Sequence, residues 1–441
     1  MQAEQYDKFI GMETFTSSSP GIGGRLKKHA EDFVVQEISL DGSVAPLEAR
    51  EQPYPDQPGK FTAFYLVKRN IDSIQAIRHL SRIIGVSYKR FSYAGIKDRR
   101  AVTSQKVSFR GMPQDLVGRN TSGIQILHPH RVRKPVVPGA LKGNRFSITV
   151  REIQLSGQEA LDRTKQIHQE ITEAGGVLNF FGPQRFGVIR PTTHLIGKQI
   201  VLGNYEEAIR ILLEGDASDY TSLRSATEDT SEDDQPSLDL VQHGTYERAV
   251  QHYLNKHPGA YPESLKVLPK TLSRLYVHAY QSYLFNRTLS ERVHRGIPLQ
   301  KPVVGDYTKP IGGRVSTVRP VTRENLAQME QAVMAGKRVL VAPIIGYDFE
   351  HVPLDGEPGE IVTSIHEEEQ VFPEQFRVTT LPQLSSRGNF RTLLVRPEGF
   401  QSSLIGETDS PAIQVGFDLS KGSYASVIMR EFIKPEYPTQ L

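Results

Sequence analysis

The chain has 441 residues, 38% of them hydrophobic and 23% charged, enough for two or three domains with sizeable cores. It contains no cysteine, which excludes disulfides, thiolate nucleophiles, cysteine-ligated zinc and iron–sulfur clusters together. The net charge of +3 hides an asymmetry: residues 51–150 hold 18 Lys or Arg against 5 Asp or Glu, while the rest hold 35 against 45. Such a block suits a polyanionic partner.

In chain order, residues 1–20 read as irregular, and the polar N-terminus carries no signal peptide pattern. With apolar runs too short to span a bilayer, a cytoplasmic protein with no membrane association is expected. The glycine-rich Pro20–Gly24 fits neither phosphate-loop template, so a nucleotide cofactor has little support. The thirteen histidines show no HExxH pair, and no metal site is expected. Phe33–Ile38 reads as a strand preceded by Lys27 and Lys28. Residues 42–59 read as a proline-rich loop, and Phe61–Val67 as a strand. Asp72 or Ser73 then caps a helix carrying Ile74, Ile77, Leu80 and Ile84, ended by Gly85.

The next stretch, Tyr93 to Gln105, is the most distinctive. A strand-like run from Phe91 to Ala94 leads in, Gly95 allows a sharp turn, and a period-2 run with Gln105, Val107 and Phe109 leads out. At the turn Asp98 stands among Lys97, Arg99 and Arg100. Neighbouring cations favour an ionised acid, which suits a nucleophile or a stabilising anion better than a proton donor. A surface hairpin whose Asp caps the turn fits the local chemistry as well.

Beyond it, Ile124–Leu127 and Phe146–Val150 read as strands, with the basic clusters 130–134 and 142–145 placed on loops. Ser156 and Glu159 form a capping box that opens a helix to about Glu173. Asn179-Phe180-Phe181-Gly182-Pro183-Gln184-Arg185-Phe186-Gly187 has two readings. It is a hydrophobic turn anchored in the core, or an aromatic platform on which a base stacks. Helices follow at 204–214, 246–254 and 271–293, with a low-complexity acidic segment at 216–236 read as a mobile loop. Residues 296–372 read as short strands between Gly/Pro turns; strands near 390–395 and 412–417 and a helix at 422–434 close the chain.

Several of these stretches together resemble the TruD family of tRNA pseudouridine synthases. The likeness runs through Lys27–Glu37, Gly95–Gln105, Leu141–Phe146, Asn179–Gly187, Ala279–Asn286 and Gly422–Ser426 with Arg430 and Glu431, in that order. Ala30 and Phe180 stand where Pro and Tyr are expected in bacterial relatives, and the acidic segment looks like an insertion of the longer, archaeal type. The resemblance implies an α+β fold: a pseudouridine synthase domain with a mixed, largely antiparallel sheet (residues 1–205 and 385–441), an inserted α+β domain (206–384), and RNA in the cleft between. It implies isomerisation of uridine to pseudouridine in tRNA, at position 13 of the D-arm, by a monomer needing no cofactor. Asp98 matches the family's reacting carboxylate, and Lys27 a lysine that pairs with it. Phe181 matches an aromatic that stacks on the target base and Asn179 an amide of the same pocket, with Arg145 and Arg185 as further substrate-binding residues. A non-catalytic RNA-binding protein and a different base-modifying enzyme are the other classes the composition leaves open.

Overall fold

The computed structural model describes residues 5–49, 54, 56–188, 190–214, 244–312, 317–407, 410–436 and 440–441. The acidic segment 216–236 lies outside them. The chain divides into two compact units, one of Pro20–Gln166, Pro397–Lys434 and Gln440–Leu441, the other of Met1–Ser19, Ile167–Arg396 and Pro435–Thr439.

Among the described residues, the first unit is built on an open eight-stranded mixed sheet. Its strands are β1 (Phe33–Ile38), β2 (Phe61–Arg69), β3 (Phe91–Tyr93), β4 (Val102–Phe109), β5 (Ile124–Val132) and β6 (Gly143–Val150), joined by two strands near the C-terminus. Numbering in chain order through the second unit's β7 (Val177–Leu178), β8 (Tyr307–Pro310), β9 (Arg319–Pro320), β10 (Arg338–Ile344), β11 (Asn389–Thr392) and β12 (Leu394–Val395), those two are β13 (Glu398–Glu407) and β14 (Ser410–Ser420). The order is β13-β14-β6-β1-β4-β2-β5. The pairing of β1 with β4 is parallel, Val34 opposite Val102, and the other strand pairings of this sheet among the described residues are antiparallel. β4 is shared along one side: β1 pairs with residues 102–104 and β3 with 107–109. The chain from β3 must therefore pass through residues 94–101 before it enters β4, and Asp98 sits on that crossing.

β2 is buried on both faces, as its near-continuous apolar run requires. Phe64 and Leu66 join a core with Ala76, Ile77, Leu80, Val107 and Phe109, while Tyr65 and Val67 join a second with Ala45 and Leu127. The alternation is that of a strand, and each fully buried Leu or Ile contributes about 1.5–3 kcal/mol. Helix Ser73–Ile83 covers the first face. Its cap is Asp72, whose carboxylate accepts from the amides of Ile74 and Gln75 at 2.8 and 2.9 Å.

The basic clusters expected on loops lie largely on strands. β5 runs through His130, Arg131 and Val132, because it is the edge strand. An edge tolerates Pro129, and an irregularity opposite Ala63 to Tyr65 absorbs the left-handed His128. β6 begins at Gly143, where a Cβ would fall 2.1 Å from the Leu419 carbonyl oxygen, so this glycine serves close strand approach rather than a turn.

In the second unit a four-stranded antiparallel sheet, β11-β10-β8-β9, and the pair β12-β7 accompany a helical core around Lys270–His294. The helix Thr193–Leu202 was not expected from its β-branched residues and central glycine. Packing makes it: a Cβ on Gly197 would lie 2.0 Å from the Tyr276 carbonyl oxygen, so the two helices meet at backbone distance. Residues 296–372 also contain helices Leu326–Met334 and Gly356–Glu368 where only strands and turns were expected. Pro358 sits in the first turn of the latter, where a missing N–H costs nothing. No described helix is long and apolar enough to cross a membrane.

Candidate active site

The crossing 94–101 is held from several sides. The Ala94 carbonyl accepts from the Gly139 amide at 2.7 Å, and the Gly95 carbonyl from Gln105 Nε2 at 2.9 Å. The Lys97 amide donates to Ser73 Oγ at 3.0 Å, and that hydroxyl donates to Gln105 Oε1 at 2.8 Å. Ser73 and Gln105 are fully buried, so water does not compete for these bonds.

Lys97 was expected beside Asp98. Instead its ammonium turns inward, 6% exposed, and forms a 2.9 Å ion pair with the buried Glu37. The other Glu37 oxygen accepts from the Lys106 amide at 3.3 Å. A cation that does reach Asp98 is Lys68, near the C-terminal end of β2, which sequence reasoning missed. It is fully buried, and its ammonium donates to the Asp98 carbonyl oxygen. A lysine inside the run Phe61–Arg69 carries no local signal of its role. Asp98 itself is half-buried, and its carboxylate has no hydrogen-bond or ion-pair partner among the described residues.

Burial pushes the Lys68 ammonium down to about 8, with the charges of Asp98 and Asp72 pulling partly the other way. Below that pH the lysine is charged both folded and unfolded. Between about 8 and the ordinary lysine value the unfolded chain holds a proton that the folded chain has released, so stability rises with pH there. We expect that rise in urea unfolding measured from pH 7 to 10.5, and its absence in Lys68→Met. An identical slope in both proteins would show that Lys68 does not titrate in this window.

Lys27 has a left-handed backbone, and its ammonium lies 4.4 Å from the centre of the Phe33 ring. No ion pair joins it to Asp98 among the described residues. Arg145, on β6, faces its register partner Asp418 on β14 and forms a two-pronged pair at 2.8 and 2.9 Å.

Asn179, Phe181 and Arg185 belong to the second unit, whereas Asp98, Lys27 and Arg145 belong to the first. Asn179 is buried and its amide is fully used: Nδ2 donates to the Thr392 carbonyl and hydroxyl at 3.0 and 2.8 Å, and Oδ1 accepts from Arg391 at 2.6 Å. Arg391 also donates to the carbonyls of Asn179 and Phe180, at 2.8 and 3.1 Å. Its guanidinium lies 4.1 Å from the centre of the Phe181 ring, with that of Arg185 at 5.6 Å. Phe181 is 7% exposed, meets Phe285 edge-to-face at 5.6 Å, and has both backbone groups held by the Asn286 amide, at 2.8 and 2.9 Å. The turn is thus firmly anchored. Arg391, more than 200 residues away along the chain, was not legible as its main clamp. Among the described residues no group of three or more His, Asp or Glu could hold a metal ion.

The family model described as tRNA pseudouridine synthase D (TruD) matches residues 9–432. A protein of Methanococcoides burtonii named "Probable tRNA pseudouridine synthase D" is 36% identical over 443 residues, covering 98% of this chain and 97% of its own. One of the same name from Methanosarcina mazei is 36% identical over 450 residues, covering 98% of each. A crystal structure described as that of "the Putative tRNA pseudouridine synthase D (TruD) from Methanosarcina mazei" superposes with a TM-score of 0.79 at 35% identity, over 100% of both chains. The match spans the anchored Asp98 crossing and the Arg391-clamped turn alike, and the chain belongs to the TruD family of tRNA pseudouridine synthases, which are isomerases.

Proposed function

We propose that this chain converts uridine 13 of the tRNA D-arm to pseudouridine, with Asp98 as the reacting carboxylate. The observation that carries the reading is the held crossing: its backbone is fastened at four consecutive or near-consecutive points, yet among the described residues the Asp98 carboxylate makes no hydrogen bond or ion pair, the buried Lys68 charge acting on it without a direct contact. An anion held in place and not tied into a direct ion pair is what the ribose C1′ needs as the N1–C1′ bond breaks. The uracil then turns and forms the C5–C1′ bond, C5 loses a hydrogen and N1 gains one. Atoms and electrons balance within the nucleotide, so the step calls for no external oxidant or group donor. Attack of the carboxylate on C1′ and abstraction of a ribose proton both fit one Asp.

The base must leave its stack to reach Asp98. We assign Phe181 as the aromatic it meets, steadied by Arg391 and Arg185, with Lys27 and Arg145 on the RNA side of the first unit. Functionally we divide the chain into 1–205 with 385–441, acting on the nucleotide, and an inserted 206–384. That division follows the family likeness and is distinct from the packing boundaries at 166/167 and 396/397. We further propose a cytoplasmic monomer.

The test is an unmodified tRNA transcript incubated with the protein and no added cofactor, with pseudouridine mapped by position. A single new pseudouridine at position 13, poorly formed in a D-arm minihelix, is the expected result. Modification elsewhere sinks the position, and none at all sinks the activity. A second expectation concerns stacking. Phe181→Ala should lower kcat/KM by about 10- to 100-fold, the value of one lost base stack, while Phe181→Tyr stays within about threefold. Equal losses in the two variants would make the ring a core residue only.

A further inference from the structure

Two neighbouring residues on the Asp98 crossing reverse the usual order of burial. The apolar Ile96 is 62% exposed while the charged Lys97 is 6% exposed. The ion pair with Glu37 accounts for the buried lysine, whereas the exposed isoleucine contributes no burial to the fold. The anchors explain how that exposure is enforced. Gly95 is fixed through its carbonyl to Gln105 and Lys97 through its amide to Ser73, so the residue between them can only point outward. The turn beside it repeats the pattern: the Gly139 amide binds Ala94 at 2.7 Å, and Val137 on that same turn is 57% exposed.

We propose that Ile96 enters the RNA base stack next to the target uridine and occupies the gap that nucleotide leaves, with Val137 supporting it from the adjoining turn. This rests on Asp98 being the reacting carboxylate. Two residues of extended chain span at most roughly 7 Å, about two base-stacking steps. A carboxylate at C1′ of an extruded nucleotide therefore puts Ile96 within reach of the vacated place. An aliphatic side chain suits that place, as apolar wedges between bases do elsewhere, because it replaces stacking area without demanding a hydrogen bond. The setting favours RNA over an apolar protein partner: Arg99, Arg133, Lys134 and Lys142 on these same segments are exposed.

The test compares two substrates after mapping which uridine of a tRNA transcript the protein converts. One is the folded transcript; in the other, mismatches around that uridine leave it already unstacked. Ile96→Ala should lower kcat/KM about 10- to 100-fold on the first and no more than about threefold on the second. Ile96→Leu should recover most of the loss, and Val137→Ser should show the same substrate pattern at smaller size. A 2-aminopurine beside the target should brighten when wild type or Asp98→Asn binds, and stay dark with Ile96→Ala. Equal losses on both substrates, or no loss on either, would overturn the proposal, as would brightening with Ile96→Ala. Failure of the underlying reading shows separately, as turnover retained by Asp98→Asn whatever Ile96 does.

Discussion

The Asp98→Asn variant is expected to lose at least about 10⁴-fold in turnover on a tRNA transcript, with affinity for that transcript unchanged within about twofold. Asn keeps the size of the side chain and loses its charge. The crossing that carries it is held through backbone groups, the Asp98 carbonyl to Lys68 among them, and these survive the change. Binding should survive too, because the carboxylate contributes no favourable contact to an RNA phosphate. Single-turnover kinetics beside a filter-binding titration separate the two quantities. Turnover within tenfold of wild type would remove Asp98 from the chemistry. Parallel loss of affinity would instead make it a binding residue.

The second large effect is on stability. Lys97→Met should destabilise the protein by about 3–5 kcal/mol, because it leaves the Glu37 carboxylate buried and without its counter-ion. At roughly 2–4 °C per kcal/mol this lowers Tm by about 6–20 °C. The double variant Glu37→Gln with Lys97→Met should regain most of that loss, since two neutral side chains avoid the stranded charge. Thermal unfolding of the four proteins of the cycle measures it. If the double variant is as unstable as the sum of the singles, the pair is not coupled and the burial argument fails.

Much of the local structure was legible where a short-range signal decides the outcome. Asp72 caps its helix and Ser156 starts another because an oxygen that accepts from the first-turn amides is a property of four adjacent residues. The strand–turn–strand around Asp98 followed from pattern in the same way, whereas the mixed α+β architecture followed from the family resemblance. What could not be read was set by distant partners. Whether Lys97 points in or out depends on Glu37, sixty residues earlier and on strand β1. The inward role of Lys68 depends on a carbonyl thirty residues later. Helix Thr193–Leu202 owes its existence to the Tyr276 backbone, and the Asn179 turn to Arg391. The helix Leu326–Met334 is a different kind of miss: Leu326, Met329 and Val333 do keep helical spacing, but the segment is only nine residues long and none of them is fully buried, so the signal was short.

The order of strands in the eight-stranded sheet has a consequence for the newborn chain. β6 lies between β1 and β14, with Val150 opposite Ile413, about 260 residues further on. At roughly 5–20 residues per second, β6 waits some 13–50 s on the ribosome with one edge bare. A bare edge is a template for pairing with another polypeptide. Arg145, the one basic residue within β6, then acts as a repellent between nascent chains until Asp418 arrives to neutralise it and close the sheet. An ion pair on the finished surface would thus have its main use before the protein is finished.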